Sequence, residues 1–156
     1  MAGVVLEDLD AVCEFVACAL GETKDGMVAA EITGGNMNYA WRVSLPASTV
    51  FVKQAPDYIK CLGSDFALTS QRMHREVEAL RAMANLSAEH VPRVLHFDSD
   101  RCVVVLEYLE NFELLSQELM RGHVDPSISA NLGAFLRLAA DSSYSAENDA
   151  MAGITA

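Results

Sequence analysis

Three short stretches carry groups that could grip a chain of phosphates. The first is Gly34-Gly35-Asn36-Met37-Asn38. Phosphate oxygens are held by backbone N–H groups pointing into a concavity, which demands residues free to adopt positive φ and small enough for close approach. Two glycines and an asparagine meet that demand, and they equally suit any tight β-hairpin. The second stretch is Val50-Phe51-Val52-Lys53-Gln54, where strand alternation sets Lys53 on one side with Phe51, and Val50, Val52 and Gln54 on the other. An ammonium so placed could reach α- and β-phosphates. The plainer alternative is a strand-end lysine whose stem lies on apolar surface while its charge stays in water.

The third stretch is a helix. At about 100° per residue, Met73, Val77, Leu80, Met83 and Ala84 form one apolar arc, with Glu76 inside it and Glu78 nearly opposite its centre. An acid on the buried side needs a partner, because an unpaired buried carboxylate is costly or becomes neutral. Lys53 is one candidate partner. Arg72, one turn earlier on the same helix, is the other.

The elements that must position these groups can be read from pattern. Leu6, Leu9, Val12, Cys13, Val16 and Leu20 recur at helical spacing, and Gly21 can end that helix. Val28 to Thr33 and Asn38 to Leu45 suit strands, with the glycine turn joining them as a hairpin. Pro46-Ala47-Ser48 turns into the Lys53 strand, which gives an antiparallel meander. Asp57 to Leu68 has no sustained period and reads as an irregular insertion, after which Thr69 or Ser70 can cap a helix to about Asn85. Val94 to Phe97 and Cys102 to Leu106 are further strands, joined through Asp98-Ser99-Asp100. Asn111 to Arg121 and Ser127 to Ala140 read as leucine-rich helices, and the tail from Asp141 loses all period.

Composition excludes several function classes. The 156 residues are 51% apolar, enough to bury a sizeable core, so disorder is not expected. A formal charge of -11 opposes nucleic-acid backbones and anionic lipid surfaces, so neither nucleic acid nor membrane is an expected partner. Cys13, Cys18, Cys61 and Cys102 are scattered without zinc-ligand spacing, which suits reduced thiols in the cytoplasm. Val4 to Leu20 contains Glu7, Asp8, Asp10 and Glu14 and has no leading basic region, so it reads as neither a signal peptide nor a membrane span.

Other arrangements that look chemical have plainer explanations. His123-Val124-Asp125 outlines a catalytic loop, but Pro126 follows and an interhelical turn explains it. Asp98 and Asp100 read as turn formers between strands rather than metal ligands. His74 and His96 have no nucleophile at recognisable spacing.

Taken together, Ile32-Thr33-Gly34-Gly35-Asn36-Met37-Asn38, Val52-Lys53-Gln54-Ala55 with Tyr58, and Leu68-Thr69 through Arg72 to Glu76-Val77-Glu78-Ala79-Leu80 resemble the methylthioribose kinase family. His90-Val91-Pro92-Arg93-Val94 followed by Val103 to Leu109 is similar to that family's approach to the hinge, and Gly133-Ala134-Phe135-Leu136 to its first large-lobe helix. The likeness covers roughly Ile32 to Tyr144. Aminoglycoside phosphotransferases and choline kinases share the architecture, but not the Gly-Asn-x-Asn turn joined to Lys-Gln-Ala.

The resemblance implies an α+β, protein-kinase-like N-terminal lobe with a five-stranded antiparallel sheet plus helix over residues 1–109. Residues 110–156 would be the first helices of a truncated C-terminal lobe. It implies transfer of the ATP γ-phosphate to the 1-hydroxyl of 5-methylthioribose, a methionine-salvage step that requires Mg2+. Gly34, Gly35, Asn36, Asn38 and Lys53 would contact nucleotide phosphates, Glu76 would pair with Lys53, and backbone groups of Glu107, Tyr108 and Leu109 would hold the adenine. The family's catalytic-loop Asp and metal-binding Asp have no counterpart in the chain, so no catalytic or metal residue is assigned, and the fragment is expected to be inactive by itself. The insertion also departs from the pattern: Gly63-Ser64-Asp65-Phe66-Ala67 stands where the family has Gly-Glu-Ser-Trp-Pro, which bears on loop closure over a substrate. The alternative function is a non-catalytic kinase-like module that binds nucleotide or docks on another protein. Leu114, Leu115, Leu119, Leu132, Phe135 and Leu136 would present an apolar face, with homodimerisation or aggregation as the consequence.

Overall fold

The structure is a computed structural model that describes residues 5, 6 and 8–143. Its elements in chain order are α1 (Leu9–Leu20), β1 (Val28–Glu31), β2 (Tyr39–Ser44), β3 (Thr49–Gln54), β4 (Tyr58–Ile59), β5 (Gly63–Ala67) and α2 (Arg72–Ser87). A 3-10 turn (Ala88–His90), β6 (Val94–Asp98), β7 (Val103–Glu107), α3 (Leu115–Met120) and α4 (Pro126–Ser143) complete it. By contact density the chain divides into two units, residues 1–81 with 92–108, and residues 82–91 with 109–156.

In the first unit, β1, β2, β3, β7 and β6 lie in that order in one antiparallel sheet. Strand alternation sends side chains to both faces, and each face has its own core. On one, Val12, Phe15 and Val16 of α1 pack over Trp41, Val43, Val50, Val52, Val103 and Val105. On the other, Met73 and Val77 of α2 pack over Ala55, Cys102, Val104 and Leu106, with Phe51 and Phe97 joining. This explains the unbroken valine run in β7: Val103, Val104 and Val105 are all fully buried because both faces above them are covered.

Local signals set the ends of α1. The Asp8 carboxylate accepts the Ala11 N–H at 2.7 Å, and Gly21 takes φ 69° at the C-terminus. Leu6 lies outside the helix, its N–H donating to Gln54 Oε1 at 2.9 Å, so the apolar period begins before the helix does.

Two expectations require correction. The insertion is ordered: β4 and β5 pair antiparallel, Tyr58 opposite Ala67 and Ile59 opposite Gly63, with an irregularity between them. β4 is two residues long and β5, Gly-Ser-Asp-Phe-Ala, has no apolar alternation, so neither shows a strand pattern in sequence. Their stability comes from side-chain and backbone contacts made elsewhere, described below. The helix expected over Asn111 to Arg121 forms only over Leu115–Met120: Asn111 is left-handed at φ 63°, and Leu114, directly before the helix, is extended at φ -70° and ψ 122°. Smaller differences are strand ends: β1 stops at Glu31 rather than Thr33, and α2 runs from Arg72 to Ser87.

In the second unit, α4 begins at Pro126, the first-turn position where a missing N–H costs nothing. The expected loss of period from Asp141 is not seen through Ser143, which is still helical, and residues 144–156 lie outside the described ones. His90 stacks on Phe135 at 5.1 Å.

A candidate phosphate-binding site on the α2 face of the sheet

Lys53 lies in β3 between Ala40 of β2 and Val104 of β7, and projects toward α2 on the same face as Phe51, as strand parity predicts. Its Nζ donates to both Glu76 oxygens, at 2.6 and 2.8 Å. Lys53 keeps 25% and Glu76 32% of its side chain exposed, so the ammonium is aimed by a carboxylate yet open to a ligand. Glu78 points to solvent and pairs with Arg75 at 3.1 Å. The helical phase therefore separated the two acids correctly.

Arg72 is not the partner of Glu76. Its guanidinium is engaged on the other side, with Nε and Nη2 donating to Asn38 Oδ1 at 3.0 and 2.8 Å. Nη2 also reaches Met37 O at 3.1 Å, and Nη1 donates to Pro56 O, Leu68 O and Thr69 O at 2.8, 3.0 and 2.7 Å. Burial pushes this guanidinium below its ordinary pKa, opposed by the charge of Asp57. One side chain thus ties the glycine turn to both ends of the β4–β5 hairpin.

The hairpin and the turn have further links. The Cys61 N–H donates to Asn36 O at 3.0 Å, the Tyr39 and Tyr58 hydroxyls meet at 3.0 Å, and Lys60 pairs with Glu31 at 2.5 Å while lying over the Tyr39 ring. The hydrogen bond with Tyr39 raises the pKa of Tyr58. Asp57 closes the base, accepting the Ser70 N–H at 2.9 Å, and its hydrogen bonds to Ser70 hold its carboxyl below the usual range.

In the turn itself, Gly34 takes φ 97°, which L side chains rarely adopt, and a Cβ on Gly35 would stand 3.3 Å from Asn38 O. Among the described residues, the N–H groups of Asn36, Met37 and Asn38 donate to no protein acceptor. These are the donors that a phosphate oxygen needs. The structure thus pairs Asn38 with Arg72 and Lys53 with Glu76, the arginine and the glutamate standing one turn apart on α2.

Glu107 ends β7. It lies three residues beyond Val104, the partner of Lys53, a span of roughly 10 Å along a strand. Its N–H donates to Arg93 O at 3.0 Å, and its carboxylate accepts from Arg93 N and Nε at 3.0 and 2.6 Å. Those hydrogen bonds hold the Glu107 carboxyl below the usual range. The Glu107 N–H is therefore already used. Tyr108 follows with Arg42 over its ring at 5.2 Å, and Leu109 belongs to the second unit.

The remaining candidates have structural roles. Asp98 Oδ1 accepts the N–H groups of Asp100 and Arg101 at 3.0 and 2.9 Å, as a turn former does. Asp125 accepts the Ser127 N–H at 2.8 Å at the start of α4. His74 packs edge-on against Phe97, and His96 against Phe15. Among the described residues no group of three or more His, Cys, Asp or Glu is placed to hold a metal ion.

No family model matches the chain. The chain is 30% identical over 122 residues to methylthioribose kinase 1 of Oryza sativa subsp. japonica, a match spanning 78% of this chain and 28% of that protein. It is 36% identical over 112 residues to methylthioribose kinase of Pectobacterium atrosepticum and 34% identical over 112 residues to that of Yersinia pseudotuberculosis, each match covering 70% of this chain and 28% of the relative. The chain is a relative of the methylthioribose kinases. It spans little more than a quarter of the length of these relatives. A fructosamine-3-kinase-like protein from Thermobifida fusca superposes with a TM-score of 0.50 at 21% identity, over 69% of this chain and 34% of that one. That likeness establishes the fold as kinase-like α+β, the class expected from the sequence.

Arg72 is the site residue that sequence reasoning undervalued. Its only local signal was its place one turn before Glu76, whereas its partners are main-chain carbonyls and an asparagine up to 35 residues away.

Proposed function

We propose that the chain provides the nucleotide-phosphate side of an S-methyl-5-thioribose kinase-like phosphotransferase, which moves the ATP γ-phosphate to the 1-hydroxyl of 5-methylthioribose in methionine salvage. The observation that carries the reading is the two-oxygen grip of Glu76 on Lys53, made from the helix whose Arg72 holds the turn with open N–H donors. A fixed ammonium beside such donors offsets phosphate charge without reorganising when the ligand arrives. Lys53 would contact the α- and β-phosphates, and the main chain of Gly34, Gly35 and Asn36 with the Asn38 amide would contact the phosphate chain. The adenine edge would fall to the Glu107 carbonyl and to main-chain groups of Tyr108 and Leu109, since the Glu107 N–H is taken by Arg93. Mg2+ would accompany ATP. Homology to kinases supports transfer chemistry. A cytoplasmic protein fits the free thiols and the absence, among the described residues, of any helix long and apolar enough to cross a membrane.

Calorimetric titration with MgATP tests the reading. Saturable binding that Lys53→Ala weakens at least about tenfold is expected, the loss of one charge-assisted contact. A folded protein that binds no MgATP, or binds it equally well without Lys53, would overturn it. Binding without phosphate transfer by the chain alone is expected under this reading and under the non-catalytic module alike, so nucleotide binding, not transfer, is the readout.

A further inference from the structure

The donors and acceptors around Arg72 define more than a structural tie. Asn38 Oδ1 receives two N–H groups from one guanidinium, so the amide cannot be reversed: its NH2 end would then oppose two donors. The oxygen is committed to Arg72, and among the described residues the Nδ2 hydrogens have no acceptor. The same guanidinium holds Pro56 O on entry to the β4–β5 hairpin and Leu68 O and Thr69 O on its exit. It also holds Met37 O in the glycine turn, while the hairpin returns the Cys61 N–H to Asn36 O. Arg72 and Glu76 occupy successive turns of α2, so the helix that aims Lys53 also anchors this clamp.

We propose that Arg72 is a positioning residue for phosphate binding: it locks the Asn38 amide with its donors outward and couples the β4–β5 hairpin to the glycine turn. This rests on the reading of that turn as phosphate-binding. The hairpin is then part of the site's support, and displacing it would disorder the turn. Lysine cannot replace this arginine. A single ammonium lacks the planar fork that meets Asn38 and carbonyls of both hairpin ends together.

The test pairs ligand titration with amide hydrogen exchange on the full chain, comparing native protein, Arg72→Lys, Asn38→Asp and Arg75→Gln. Arg72→Lys is expected to weaken MgATP about tenfold while leaving adenosine affinity unchanged, because only phosphate contacts are misdirected. It should also speed exchange at the Cys61 and Leu68 amides, with β3 and β7 amides unaffected. Asn38→Asp keeps an acceptor for Arg72 but loses the donors, so slow exchange should persist while MgATP binding falls at least as far. Arg75→Gln, on the same helix with its guanidinium paired to Glu78, should match native in every arm. An Arg72→Lys protein with native MgATP affinity and native exchange overturns the proposal, as does Asn38→Asp binding MgATP like native. Equal loss of ATP and adenosine would reduce Arg72 to a structural role and also overturns it. If Arg72→Lys does not fold, Asn38→Asp decides. If the native chain binds no MgATP, the underlying reading has failed, and exchange in Arg72→Lys alone decides the coupling.

Discussion

Glu76 matters through what it does to Lys53. Both side chains are partly exposed, and such ion pairs contribute about 1 kcal/mol or less to stability. Glu76→Gln should therefore shift the melting temperature little yet weaken MgATP severalfold, because the ammonium loses its aim. Parallel melting and titration experiments check this; a large stability loss with unchanged affinity would make the pair structural. Gly34 behaves oppositely. At φ 97°, Gly34→Ala introduces backbone strain of about 1–3 kcal/mol, to be read as a lower denaturation midpoint. Lys53 and Glu76 were legible in sequence because strand parity and helix phase each fix a direction from local information. Arg72 was not, since its role depends on carbonyls brought near only by the fold.

At the scale of elements, the exit of β7 is latched by Arg93 and Glu107. Arg93 lowers the carboxyl pKa in the folded state, so the folded value lies below the unfolded one. The latch then contributes fully above the unfolded pKa, and its contribution is lost as pH falls through the folded value. Denaturant titrations from about pH 6 to about pH 3, spanning the ordinary carboxylate range, should show native protein losing stability more steeply than Glu107→Gln. Equal slopes would remove the latch. The strands of the main sheet and α2 could be read from β-branched and aromatic runs and from helical period, which their residues carry locally. The β4–β5 hairpin could not: two residues of β4 carry no pattern, and Arg72, Tyr39 and Asn36 supply its order from outside. The helix does not extend before Leu115 because Leu114 is extended, and Asn111 is left-handed.

For the whole molecule, the first unit covers both faces of its sheet, while the second leaves large apolar side chains in water. Leu114, Leu119, Leu132 and Leu136 are 64, 51, 49 and 57% exposed. Apolar surface of this kind promotes association. Light scattering over a concentration series should show mass rising with concentration, and Leu132→Glu with Leu136→Glu should suppress the rise; a monomer at all concentrations would contradict this. The central claim is that the turn, Lys53 and the end of β7 form one nucleotide site. Amide chemical shifts followed during MgATP titration test it most directly. The account predicts saturable shifts concentrated at Gly34, Gly35, Asn36, Asn38, Lys53, Glu107 and Tyr108, whereas no shifts, or shifts confined to α1 or α4, would contradict it.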